Sequence, residues 1–150
     1  MTVTRDDVIR EAIGWVGTPS VHQASEKGVG ADCVGLVRGV MWNLGLTEVH
    51  HSNPRYRELL SYPRQVNSIR MGEALEAYLT RIVIAEARMA DVLWFMIRRE
   101  ERHLGIIVRN NYIVHASNKG GRRMTDGRVL YNRIDSNWKI VRAYRMPGVI

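Results

Sequence analysis

The sequence predicts an α+β fold in which N-terminal helices pack on one face of a C-terminal antiparallel sheet. Three observations carry that expectation. Across residues 5–45, apolar side chains recur at helical spacing. Beyond residue 91 the pattern changes to short apolar runs bounded by charged or turn-forming residues. Those runs follow one another closely enough to form a meander, with Asn110-Asn111 as its clearest turn. A chain of 150 residues, 45% hydrophobic and 25% charged, suits a single domain over 1–150 with one core.

The elements follow in order. Thr4 and Asp7 form a capping-box pattern, with aspartate in place of the usual glutamate. Val8, Ile9, Ala12, Ile13 and Val16 then predict a helix to about Val16, stopped by Gly17-Thr18-Pro19. A polar, glycine-bearing loop follows over 18–31. A second helix begins at Cys33 behind Asp32 as N-cap, carries Val34, Val37, Val40, Met41 and Leu44, and ends at Gly45. Residues 46–67 have no period, contain Pro54 and Pro63, and predict a loop with one helical turn over Arg57–Leu60. From Ser68 the helical pattern returns through Met71, Ala74, Leu75, Tyr78, Leu79 and Ile82. Strands are predicted over Val92–Ile97, Leu104–Val108, Tyr112–Ser117, Val129–Ile134 and Ile140–Tyr144.

Cys33 is the only cysteine, so an internal disulfide is excluded and a reducing compartment of synthesis is expected. A thiol in the first turn of a helix meets unpaired N–H groups and the positive end of the helix dipole. Such a place lowers a cysteine pKa from ~8.5 to about 3.5–7.5, most strongly beside an imidazolium. The glycine-rich approach Gly28-Val29-Gly30-Ala31 argues for a delivered nucleophile over a small core residue.

The formal charge is +7 and sits in one part of the chain. Residues 1–100 carry twelve basic and twelve acidic side chains, and residues 101–150 carry ten and three. A basic half suits an anionic partner. Nucleic acid is disfavoured, because Arg122-Arg123 is the only basic pair there and no aromatic-interleaved motif accompanies it. No apolar run reaches the ~18 residues of a membrane span. The N-terminus Met1-Thr2-Val3-Thr4-Arg5-Asp6-Asp7 is polar and acidic, and no signal peptide is expected.

A cysteine nucleophile needs a base. Of the five histidines, His22 lies in the polar loop and His50 and His51 lie in the irregular segment, whereas His103 opens the strand that runs on through Leu104–Val108 and His115 sits late in the next. Strands hold a base and its orienting partner rigidly, and a helix-borne cysteine facing sheet-borne imidazoles is the papain-like arrangement. A metal site from Cys33, His22, His103 and His115 lacks close-spaced ligand pairs. No metal or cofactor is expected.

Four motifs now stand in order: Asp32-Cys33-Val34-Gly35-Leu36-Val37, Ala90-Asp91-Val92-Leu93-Trp94-Phe95, His103-Leu104-Gly105-Ile106-Ile107-Val108 and Ile113-Val114-His115-Ala116-Ser117. Together they resemble the NlpC-type cysteine peptidases, papain-like enzymes that cut bacterial cell-wall peptides. The loop Thr18-Pro19-Ser20-Val21-His22-Gln23-Ala24-Ser25, with Lys27-Gly28-Val29-Gly30, most resembles the branch found in phage tails and gene transfer agents. The resemblance covers about residues 5–45 and 86–146. It implies Cys33 as nucleophile, His103 as base and His115 as the orienting third residue. The substrate implied is the peptidoglycan stem peptide, cut between D-glutamate and a diamino acid. The partners implied are phage-like tail or baseplate proteins. The chain would then be made in the bacterial cytoplasm, carried at a tail tip and active in the periplasm or cell wall.

The sequence departs from the family at several points. Ser20 replaces the usual tyrosine, Val34 replaces a common serine, and Ala90 stands where glycine is common. Ser20, Gln23, Asp32 and Val34 are the remaining substrate or oxyanion candidates, with the Cys33 backbone N–H and Gln23 as the donors. The departures motivate a second reading, a structural tail-tip protein of low or no activity on the same fold. A third is a papain-like amidase or acyltransferase.

One geometric expectation follows from the strands. A regular two-residue hairpin at Asn110-Asn111 would put Ile106 opposite His115 and turn the two histidines to opposite faces. A working pair requires an odd-length loop or one bulge. A three-residue loop over Arg109–Asn111 would set Gly105 opposite His115, with His103 as the diagonal neighbour and open space at the glycine.

Overall fold

The computed structural model describes residues 2–47, 68–97, 100–117 and 127–150, and of 68–71 and 100–102 the backbone alone. Helix α1 spans Arg5–Gly14 and opens on the capping box: the Thr4 hydroxyl accepts from the Asp7 N–H, and the Asp7 carboxylate accepts from the Thr4 N–H. It ends two residues before the expected Val16, because Trp15–Gly17 turn away and Gly17 takes a φ of +93°. Strands β1 (Ser25–Glu26) and β2 (Gly30–Ala31) form a small hairpin that period alone does not reveal. Helix α2 spans Cys33–Asn43, with Asp32 as its N-cap and Gly45 beyond its end at φ +69°.

Helix α3 spans Ser68–Tyr78. The expected extension to Ile82 is corrected: Thr80–Ile82 is strand β3, paired to the last strand of the sheet. The turn expected over Arg57–Leu60, with His50 and His51, lies outside the described residues.

Strands β4 (Val92–Ile97), β5 (Glu100–Arg109), β6 (Tyr112–Ser117), β7 (Arg128–Arg133) and β8 (Lys139–Arg145) complete a six-stranded antiparallel sheet in the order β3-β8-β4-β5-β6-β7. The expected meander therefore holds only from β4 to β7. Strand β8 crosses back to the free edge of β4, where Leu93 opposes Ala143 and Val92 opposes Tyr144. Both faces of the central strands are apolar, so β8 buries a second edge that would otherwise be left unpaired.

The sheet has two unlike faces. One carries Val92, Trp94, Leu104, Ile106, Val114 and Val129 and packs against Val8 and Ala12 of α1, Leu36, Val37 and Val40 of α2, and Leu75 of α3. The other carries Leu93, Phe95, Ile107, Ile113 and Ala143, and Ile82, Ala87, Ile97, Ile134, Trp138 and Ile140 pack against it, with no α-helix among the described residues. This is an α+β papain-like fold, and the α-helices among the described residues pack on one face.

A buried carboxylate ties the ends of the layers together. Asp91 accepts from Arg145, Arg5 and the Arg88 N–H. Burial alone would raise its pKa, but Arg145, the Arg88 N–H and Arg5 together hold it below the usual carboxylate value. Beside it, Ala90 has a φ of +77°, the left-handed region in which a glycine is free of strain.

Candidate active site

Cys33 is placed by short-range contacts. The Asp32 carboxylate accepts from the Gly35 N–H at 2.7 Å through one oxygen and from the Gln23 N–H at 2.7 Å through the other. The second bond holds Gln23 at a φ of +60°, an unusual backbone state for a side chain of this kind. The Ser25 hydroxyl donates to the Gly35 carbonyl at 2.6 Å. Helix α2 can lie this close to the loop only because it presents glycines there. A Cβ on Gly35 would overlap the Ala24 carbonyl oxygen, and one on Gly39 would run into the Trp15 ring. The loop is stitched to the start of β7 by Ser20 N–H to Gly127 and Gly17 N–H to Val129 carbonyls, at 2.8 and 2.9 Å.

The sulfur environment corrects the expected low thiol pKa. Burial, and next the charge of Asp32, push the Cys33 thiol up to about 12. Backbone N–H groups of Val34, Leu104 and Cys33 itself act in the opposite sense without prevailing. The helix terminus does what it was expected to do, but desolvation of the sulfur outweighs it. The Leu104 contact is informative, since it sets the sulfur against β5 one residue from His103. The pairing of β5 with β6 ends at Ile106 and Val114, so the strands part where the thiol meets the sheet.

The two strand histidines are together. His103 Nε2 and His115 Nδ1 are 2.6 Å apart, with ring planes nearly perpendicular at 85°. The register explains it. Arg109 pairs with Tyr112 around the two-residue turn, where Asn111 has φ +63°, but Ile107 pairs with Ile113. Val108 is thus one extra residue on β5, a bulge. The irregularity is a bulge, not the three-residue loop. Continued inward, this register sets Gly105 opposite His115 and puts His103 on the same face. The expected open space at Gly105 is corrected: a Cβ there would meet the Ile113 side chain, which fills it.

His115 is 3% exposed. Burial lowers its pKa, and a hydrogen bond to Asn132 opposes that shift. Its Nε2 lies 2.9 Å from Asn132 Oδ1. Trp138 packs edge-on against both rings, with centroids 4.9 Å from His103 and 5.6 Å from His115, and Phe95 lies beyond His103.

The remaining candidates fall out as follows. Val34 is 1% exposed and belongs to the core, so only its N–H, not its side chain, faces the sulfur. Asp32 has both oxygens committed to backbone N–H groups. Gln23 is exposed beside the N-cap, and Ser20 is half-buried and bridges to Ala31. Among the described residues, no group of three or more His, Cys, Asp or Glu side chains is arranged to hold a metal. Asn132 and Trp138 were not anticipated. They lie 17 and 23 residues beyond His115, in runs with no motif; strand register brings Asn132 to the rings, and the turn between β7 and β8 brings Trp138.

The NlpC/P60 family model matches residues 15–138. The chain belongs to the NlpC/P60 family. Solved structures agree in fold. The NlpC/p60 domain of the peptidoglycan hydrolase SagA matches with a TM-score of 0.61 at 17% identity, covering 96% of this chain and all of that one. The P60 domain of a Mycobacterium avium paratuberculosis antigen matches at 0.57 and 15% identity, covering 95% and 92%. The peptidoglycan hydrolase RipB of Mycobacterium tuberculosis matches at 0.55 and 21% identity, covering 94% of this chain and 63% of that one. No curated protein matches the chain in sequence. Among the described residues no helix is long and apolar enough to cross a membrane.

Proposed function

We propose that this single domain is a peptidoglycan peptidase that cuts a stem-peptide amide, between D-glutamate and a diamino acid, by a Cys33–His103–His115 mechanism. The observation that supports it is the Cys33 sulfur against the Leu104 N–H, one residue from a histidine bonded to a second histidine.

Because the resting thiol is protonated, attack is base-assisted. His103 takes the thiol proton as the sulfur adds to the carbonyl carbon. The oxyanion receives the Cys33 N–H and the Gln23 side chain. Collapse expels the amine, which takes the proton from His103, and water hydrolyses the thioester with His103 again as base. The test is mass spectrometry of muropeptides incubated with the protein and with Cys33→Ala. The expected result is a new D-glutamate terminus and a free diamino acid amine, made only by the parent. Intact muropeptides with reduced Cys33 would overturn the proposal.

The raised thiol pKa favours a second reading, a tail-tip protein that keeps the fold without the activity. A Cys33 thiol that resists iodoacetamide at pH 8.5 even with muropeptide bound supports it. For delivery, we infer carriage on a phage-like tail. The loop Thr18–Gly30 and the basic residues after 100 support this by resemblance and charge. Copurification with particles is expected, and a protein found in producing cells but never in particles would refute it.

A further inference from the structure

We propose that Asn132 is a positioning residue whose side-chain oxygen selects the tautomer of His115 and, through it, leaves Nδ1 of His103 as the basic nitrogen of the pair. The proposal rests on the reading of His103 as the base.

The argument is one of donors and acceptors. Asn132 Oδ1 lies 2.9 Å from His115 Nε2. An amide oxygen only accepts, so Nε2 of His115 carries the hydrogen and donates it. A neutral imidazole has one N–H, so Nδ1 of His115 is an acceptor. That atom faces His103 Nε2 at 2.6 Å, so His103 Nε2 carries a hydrogen too. The lone pair of neutral His103 is then on Nδ1. The opposite chain of tautomers would put the hydrogen on His103 Nδ1 and leave no site for a thiol proton. One amide, two rings away, thus decides whether a base exists.

The surroundings favour this arrangement. His115 is buried, and burial keeps it neutral. Trp138 lies edge-on against both rings and resists their rotation. When the S–H bond breaks and His103 Nδ1–H forms, the Nε2–H of the new imidazolium is already directed at His115 Nδ1. No second proton moves, and His115 stays uncharged. An aspartate at 132 would also accept from Nε2, but it would favour a charged His115. The amide fixes the tautomer without adding charge.

Asn132 is exposed on β7, so substitution leaves the core intact. The test is 15N–1H correlation of the imidazole rings in the full chain, for the parent, Asn132→Leu and Asn132→Asp, beside kcat and KM on muropeptides. The parent is expected to carry Nε2–H on both rings. Asn132→Leu is expected to mix the tautomers and lower kcat about two- to tenfold at constant KM. Asn132→Asp is expected to keep Nε2–H and raise the His115 pKa. A parent His115 protonated at Nδ1, or Asn132→Leu spectra unchanged from the parent, would overturn the proposal. The expected tautomers in a protein that cleaves no muropeptide would instead defeat the peptidase reading and leave the tautomer assignment standing.

Discussion

The two sides of the site are built differently. On the helix side, Cys33 is fixed by contacts spanning three to ten residues: Asp32 to Gly35, Gln23 to Asp32 and Ser25 to Gly35. On the sheet side, His103, His115 and Asn132 meet across 12 and 17 residues through strand register. The helix side needs a cap and two glycines. The sheet side depends on a single extra residue, Val108, because a one-residue slip turns every side chain to the other face. Desolvation acts on both sides with opposite consequences. It keeps the Cys33 thiol protonated and keeps His115 uncharged, so each side favours its neutral form at rest.

The largest effects test whether both sides are needed. Cys33→Ala and His103→Ala should each lower muropeptide cleavage on the order of 10³-fold or more, as measured by product release. A His103→Ala variant retaining a tenth of the parent rate would remove the sheet side from the chemistry.

The glycines sharpen the contrast in stability. Gly35→Ala meets a backbone carbonyl that cannot move aside, and should cost about 3 kcal/mol in urea unfolding. Gly105→Ala meets first the Cδ1 end of Ile113, 2.7 Å away, which can rotate, and should cost about 1 kcal/mol. Equal costs would mean that the helix side is no more rigid than the sheet side.

A smaller effect is electrostatic. Iodoacetamide alkylation of the free protein should keep rising about tenfold per pH unit through the alkaline range and reach half its limit only near pH 12. Asp32→Asn removes the charge that raises the thiol, keeps a good N-cap and should move this profile to lower pH. An unchanged profile would leave burial as the sole cause.

The last effect is on stability against pH. The folded pKa of Cys33 lies above its unfolded value, so the folded chain retains a proton that the unfolded chain loses. That stability is fully present below about pH 8.5 and is lost as pH rises through 12. Chemical denaturation should show a decline over that window in the parent that Cys33→Ala lacks.

Much of this was legible in the chain. Thr4 with Asp7, Asp32 before Cys33, and Gly45 after the second helix are local signals, and each cap forms from neighbours a few residues away. The strand Val92–Ile97 has the expected bounds, because a run of apolar residues between charges has few other ways to be buried. The parity of the spacing between His103 and His115 even required an irregularity, since side-chain direction along a strand is fixed by counting. Tertiary structure decided the rest. It chose the bulge at Val108 over a longer loop, sent β8 back to β4, and brought Asn132 and Trp138 to the imidazoles. It also reversed the expected thiol pKa. A helix N-terminus can be read from sequence, but the desolvation of a sulfur depends on everything packed around it.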